Sequence, residues 1–219
     1  MPALQRHITM TTRRRPQIAS RKQPQQARST ELVAAILEAA AQVLAQEGVT
    51  RFTTARVAEK AGVSVGSLYQ YFPNKASILF RMQVDEWMQT TRMLRNILED
   101  ASTPHLERLR TLVHAFLRSE CEEAGVRGAL NDAAPLYRDS PEARQARAEG
   151  DRMIDAFMVD ALPNASTASR ELAGDLIFTT LSTVGNSFSQ TRRTKAEIKA
   201  YADAMADMFC AYLQALRQE

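Results

Sequence analysis

The residues of this sequence best suited to a chemical task lie close together, between Thr54 and Lys75. Gly66, Ser67, Tyr69, Gln70 and Tyr71 take the outward positions of a short helical stretch and are small or hydrogen-bonding. An amide such as that of Gln70 donates and accepts, and the Ser67 hydroxyl does either. A glycine lets the backbone come close to what it faces. This set suits a polyanionic surface with hydrogen-bonding edges better than an apolar core. The same stretch holds Gly62-Val63-Ser64-Val65-Gly66. That is the G-x-S-x-G pattern of a nucleophilic serine, which needs a preceding strand. A polar helical run, Arg56 to Ala61, precedes it here, so hydrolase chemistry is set aside. His7, His105 and His114 are far apart. His114 and Cys121, at i and i+7, share a helix face, but two ligands do not make a metal site. Glu120, Glu122 and Glu123 raise the Cys121 pKa, which argues against a redox thiol. With no phosphate-cradling glycine loop and no paired-cysteine motif, no catalytic residue, metal or cofactor is expected.

Two short helices and a tight turn must position the outward residues. Thr53 caps the first, which runs to Lys60, by accepting an N–H of its first turn. Gly62 supplies a left-handed stop, Ser64 caps the second helix over Val65 to Tyr71, and Pro73 ends it. Val57, Val63 and Leu68 point into the angle between the helices, and Ala58 sits at their crossing. This is a helix-turn-helix pattern, whose second helix enters a major groove. The competing reading is an ordinary helical hairpin inside a core.

The 219 residues, 45% of them hydrophobic, suffice for a substantial core. With 8 glycines, 8 prolines and helical apolar spacing throughout, an all-α fold of about nine helices follows. Residues 1–30 hold seven Arg/Lys and no acid, so the other 189 carry a net charge of −4. The basic character is therefore local to the amino end, as for a localised polyanion contact rather than a uniformly basic scaffold. Residues 1–28 read as a flexible basic tail, with an arm that touches phosphates as the sharper alternative. Met10 is an alternative start. Two cysteines form no disulfide framework, and no secretory segment or run of 18 apolar residues is found. A cytoplasmic protein without a membrane span is expected.

Helix 29–46 presents Val33, Ile36, Leu37, Ala40, Val43 and Leu44 on one face and ends at Gly48, with Phe52 and Phe72 completing a small core over 29–75. A long helix from Lys75 to Glu99 carries Ile78, Leu79 and Met82 toward that core. Its second half carries Trp87, Met88, Met93, Leu94 and Leu98 into the remainder, 76–219, so it is the natural lever. Pro104 opens the next helix, and Gly125 and Gly128 break the chain before a short helix at 129–133. A loop between Pro135 and Pro141 follows, and then helices at about 142–161, 167–189 and 195–217. Small residues Ala173, Gly174, Ser182 and Gly185 permit close helix approach, consistent with a homodimer through the last two helices.

The segment around Thr54, Val57, Ala58, Ala61–Ser64, Gly66–Tyr69, Tyr71, Phe72, Asn74 and Lys75 resembles the DNA-binding signature of the tetracycline-repressor (TetR) family of one-component bacterial regulators. The close match covers residues 30–80; beyond that the likeness is in length and helical make-up. The resemblance implies an N-terminal helix-turn-helix domain, a C-terminal ligand-binding and dimerisation domain, and a homodimer on a palindromic double-stranded DNA operator. It places Gln70 toward an adenine, Ser67 toward either a base or a phosphate, Gly66 at close approach and Val65 against a thymine methyl. Tyr69, Tyr71, Lys75 and Thr54 fall on phosphates. Ala55 stands where some members carry a longer polar residue that reads a base, so the first helix of the pair contributes less readout. The resemblance also implies a pocket for a small-molecule effector between the fourth, fifth, seventh and eighth helices. Its wall would come from Trp87, Met88, Phe116, Phe157 and Phe178, its polar anchors from Thr179, Thr183 and Asn186. A ligand-responsive repressor is the function expected. An all-α binding protein or enzyme without DNA-binding activity is the alternative from another class, and a constitutive regulator is a third reading.

Overall fold

The computed structural model describes residues 27–133, 137 and 139–217. The basic tail lies outside the described residues except for its last two positions, and so does Pro135. Among the described residues all regular structure is helical: α1 Ala27–Arg51, α2 Thr54–Lys60, α3 Val65–Tyr71, α4 Lys75–Leu98, α5 His105–Glu122, α6 Ala124–Ala133, α7 Pro141–Ala161, α8 Thr167–Ser189 and α9 Lys195–Leu216. Gly48 interrupts α1 with φ 70°, a conformation that disfavours side chains, and three more residues complete the span. Ser140, Ser166 and Thr194 cap α7, α8 and α9, each accepting a backbone N–H three residues on.

Two hydrophobic cores result. The first holds Val33, Ile36, Ala40, Val43 and Leu44 of α1, Val57 and Ala58 of α2, Leu68 of α3, and Phe52 and Phe72. Ile78, Leu79 and Met82 enter the same core from α4. The second is built from α5, α7, α8 and α9, and α4 reaches it with Leu98, supported by Met93 and Leu94. The long helix therefore belongs to both cores, as its apolar pattern suggests.

Four features differ from the sequence reading. Gly125 and Gly128 do not break the chain; they lie inside α6, which starts at Ala124. A Cβ on Gly125 would stand 3.6 Å from the Cα of Ala45, so the glycine lies where α6 crosses α1. That crossing sends Ala129, Leu130 and Ala133 into the first core, and Tyr137 follows, its hydroxyl donating to the Leu130 carbonyl at 2.8 Å. Second, Gly174 and Gly185 of α8 serve packing within one chain. A Cβ on Gly174 would meet Ile154 Cγ2 of α7 at 3.1 Å, and one on Gly185 would meet Phe116 Cε1 of α5 at 2.9 Å. Third, α1 is long and apolar enough by composition to cross a bilayer, with a mean hydropathy of 1.4 over an 18-residue window within Ser29–Arg51, because alanines fill the gaps between its large residues. Its apolar face is instead the wall of the first core. Fourth, Tyr71 is not outward. Three residues after Leu68, it falls on the inner face of α3 and is buried at 7% exposure.

The Gly185 contact gives a direct test. Gly185→Val should destabilise the protein by about 1–3 kcal/mol, because the added branch must displace the Phe116 ring. Thermal melting of the double variant with Phe116→Leu should recover part of that loss, since the two sites share one contact.

Candidate nucleic-acid interface

Local chemistry fixes the α2–α3 unit. The Thr53 hydroxyl accepts the Arg56 N–H at 3.3 Å, and the Ser64 hydroxyl accepts the Ser67 N–H at 3.0 Å. Between them Gly62 takes φ 67°, and the Val63 N–H reaches back to the Ala58 carbonyl at 3.0 Å. Val57, Ala58 and Leu68 are fully buried at the crossing, with Val63 half-buried beside them. With this inner face taken, α3 offers Val65, Gly66, Tyr69 and Gln70 to solvent; Val65 and Tyr69 are each 40% exposed despite their apolar bulk.

The hydroxyls of Thr54 and Tyr69 lie 3.1 Å apart, so the first residue of α2 and the outer face of α3 hold each other in place. The Ser67 hydroxyl lies 2.8 Å from that of Ser64 and is partly engaged in the cap. Lys75 is exposed at the first position of α4, where a cation opposes the helix dipole and does nothing for the helix itself. Asn74 caps that helix with a reciprocal Asn74–Ser77 box. The first turns of α2, α3 and α4 contain no acid, so no carboxylate there repels a phosphate. Arg56, beside Ala55, is paired with Glu47 of α1 and does not supply the reach that Ala55 lacks. Six of the eight expected contact residues, Thr54, Val65, Gly66, Ser67, Tyr69 and Gln70, thus gather on one edge of the α2–α3 unit, and Lys75 stands exposed at the start of α4. Tyr71 is the exception.

Residues 36–82 match the family described as bacterial regulatory proteins, tetR family, and residues 104–216 match the tetracyclin repressor-like C-terminal domain. The chain belongs to the tetracycline-repressor family. Among relatives of this TetR-family chain, the nucleoid occlusion factor SlmA of Vibrio campbellii is 36% identical over 104 residues, which cover 47% of this chain and 52% of that protein. The chain thus spans about half the length of the curated relatives it matches. Two solved structures share the fold. The TetR-family regulator PfmR of Thermus thermophilus aligns with a TM-score of 0.62 at 22% identity, covering 78% of this chain and 97% of that one. The regulator FadR of Bacillus subtilis, in complex with stearoyl-CoA, aligns with a TM-score of 0.60 at 17% identity, covering 81% and 97%. A DNA-binding regulator's fold is therefore established.

The eight pocket candidates of this TetR-family chain do not meet in one cavity. Trp87 and Met88 border a space of about 350 Å³ between α4 and α7, with Arg92, Arg95, Glu142 and Glu149 around it. Trp87 also packs edge-on against Tyr137, 6.3 Å between ring centroids, which draws it toward the first core. Phe178, Thr179 and Thr183 border a separate groove of about 550 Å³ between α7 and α8, rimmed by Asp151, Asp155 and Glu171. Phe116 abuts Gly185, and Phe157 is buried under the Arg108 guanidinium, 5.5 Å from its ring centroid. Neither of these two rings faces the spaces the others border. The candidates come from α4, α5, α7 and α8, and apolar spacing within each helix does not reveal which neighbour its face meets.

Asn186 opens on a third space, about 120 Å³, lined by Gln83, Glu86, Glu120, Arg127, Asn131 and Ser182. Here lies a polar cluster that sequence reasoning missed. Arg127 of α6 is 2.9 Å from Glu86 of α4, 2.7 Å from Glu120 of α5 and 3.0 Å from Glu123. Gln83 and Thr90 donate to Glu86 at 2.8 and 3.0 Å. Burial pushes the Glu120 carboxyl above its ordinary value, Arg127 opposes that, and Glu86 adds to it. The Glu123–Arg127 spacing of i,i+4 was the available signal, hidden by reading Gly125 as a break.

Proposed function

We propose that this chain is a homodimeric, ligand-responsive transcriptional repressor of the cytoplasm. Its two α3 helices lie in successive major grooves of a palindromic operator, about 34–36 Å apart. The observation that carries this reading is the outer edge of α3, where Val65, Gly66, Tyr69 and Gln70 stand exposed on a fully packed support. Gln70 and Ser67 face bases, Val65 packs on a thymine methyl, and Thr54, Tyr69 and Lys75 hold phosphates. Tyr71 supports the helix from below. An effector bound beside α4 releases the DNA by shifting that helix, which is tied to both cores; its affinity must differ between the two forms for this to work.

Exposed apolar residues on the last two helices support dimerisation there. Leu172 and Leu176 of α8 are 63% and 49% exposed, and Tyr201 and Met208 of α9 are 39% and 52% exposed. Replacing Leu172 and Leu176 together by Asp should give a folded monomer by light scattering and circular dichroism, and should remove operator binding, because one α3 helix alone lacks the second half-site. A dimer that persists would place the interface elsewhere.

The decisive experiment for the whole reading is fluorescence anisotropy with the DNA upstream of the protein's own gene. Specific binding whose affinity falls steeply with salt is the expected result. Turnover of a substrate with no DNA binding would favour the enzyme reading. The kinship with nucleoid occlusion factors supports a second use of the same DNA-binding edge, in nucleoid occlusion; a genome-wide footprint separates the two.

A further inference from the structure

We propose that the cleft between α5 and the α8–α9 turn binds a small amphipathic anion, a phosphate or carboxylate carrying an apolar chain or ring. The cleft measures about 910 Å³ and is bordered by Arg118, Arg192, Arg193, Lys195 and Lys199, against a single carboxylate, Glu122. Two of these cations are held in place. Arg193 stacks over the Phe188 ring at 4.4 Å and donates to the Phe188 carbonyl at 3.1 Å. Lys199 pairs with Asp203 at 2.7 Å, and Asp203 also lies 3.0 Å from His114. The side chains of Arg118, Arg192 and Lys195 make no ion pair or hydrogen bond among the described residues. Three unneutralised cations around one concavity raise the local potential and favour an anionic occupant. The α9 terminus is not part of the attraction, because Glu197 already caps it at Thr194.

His114, Ser189, Gln190 and Thr191 add hydrogen-bonding groups to the lining, and its apolar part is Ile198, Ala124 and Cys121. The Cys121 thiol is pushed up by burial and by Glu120, with Arg193 opposing, so it serves as a lining group rather than a nucleophile. A volume of this size with cations on the rim and apolar groups below fits a small molecule with a charged head. A duplex backbone would meet the rim alone. Ala124 is the first residue of α6, and the next residue, Gly125, packs on Ala45 of α1, so the site adjoins the first core.

The test is calorimetric titration of the full chain, without DNA and at low ionic strength, with octyl phosphate, octanoate and inorganic pyrophosphate. Octyl phosphate or octanoate should bind one per chain, and the tighter of the two identifies the head group. Arg118→Gln combined with Arg192→Gln should weaken that binding by about tenfold or more, since both lose charge-assisted contacts. Both positions are exposed, so the melting temperature without ligand should not change. Arg152→Gln, on exposed α7 surface, should leave binding as it is. Pyrophosphate binding as tight as octyl phosphate would overturn the amphipathic assignment. Absence of binding by all three probes would overturn the site, as would equal affinity in the double variant. If no probe binds and the double variant instead flattens the salt dependence of operator affinity, the cations are a phosphate-backbone surface and the proposal fails. Because the titration contains no DNA, its failure is separable from failure of the repressor reading.

Discussion

Gly66→Leu should remove sequence-specific DNA binding while leaving the protein at least as stable as before. Gly66 lies in the first turn of α3, and a Cβ built there meets only the Ser64 hydroxyl, at 3.8 Å. Nothing within the chain requires glycine at that point, although glycine in a helix costs about 0.5–1 kcal/mol relative to alanine. Its purpose is therefore outside the chain, on the exposed edge shared with Val65, Tyr69 and Gln70. A leucine there would hold the helix away from the groove floor. Base contacts contribute about 1–3 kcal/mol each, so losing two of them should reduce operator affinity by about a hundredfold or more. Anisotropy against operator and scrambled duplex measures this; thermal melting measures the fold. Operator affinity within about threefold of the parent chain would remove α3 from the interface. The conservative Gly66→Ala should raise the melting temperature slightly and weaken DNA binding less.

Arg127→Met is the second large effect, on stability. Arg127 is the single guanidinium among Glu86, Glu120 and Glu123, where α4, α5 and α6 meet. Methionine keeps much of the volume but leaves three carboxylates without their cation. Breaking such a pair from one side costs about 3–5 kcal/mol. For a chain of this length the melting temperature should fall by about 10 °C. The pH dependence has a definite sign. The folded Glu120 carboxyl lies above its ordinary 4.5, so the folded state binds this proton more tightly than the unfolded state does. Its contribution to stability therefore declines as pH rises from the ordinary value through the folded one, and is restored on acidification. Removing Arg127 takes away an opposing influence and moves the folded carboxyl further up. The deficit of Arg127→Met should accordingly be largest near neutral pH and smaller near pH 5, as read by parallel melts. A deficit independent of pH would mean that lost packing, not unpaired charge, is the cause.

Much of the amino-terminal third was legible from residue types. Thr53, Gly62, Ser64 and Pro73 act through their own backbone within a few positions, so their roles follow without knowledge of any distant partner. Ala58 at the crossing and Val57 and Leu68 in the angle follow from helical periodicity for the same reason. Tyr71 was misread because a tyrosine is amphipathic: its hydroxyl suits phosphate, but its place one turn after Leu68 turns the ring inward. In the carboxy-terminal part, composition showed that α8 is apolar on several sides, without showing which neighbour covers which side. Phe116 and Gly185 meet across α5 and α8, 69 positions apart, and neither residue type announces the other.

The sequence by itself determined the all-α class, the helix-turn-helix and its caps, and most of the exposed edge of α3, because each depends on contacts within one or two helical turns. The packing of α6 onto α1, the Arg127 cluster, the scattering of the pocket candidates and the cationic cleft beside the α8–α9 turn depend on which helix faces meet. Helix-on-helix orientation is the sum of many weak contacts between distant segments, and no short pattern encodes it.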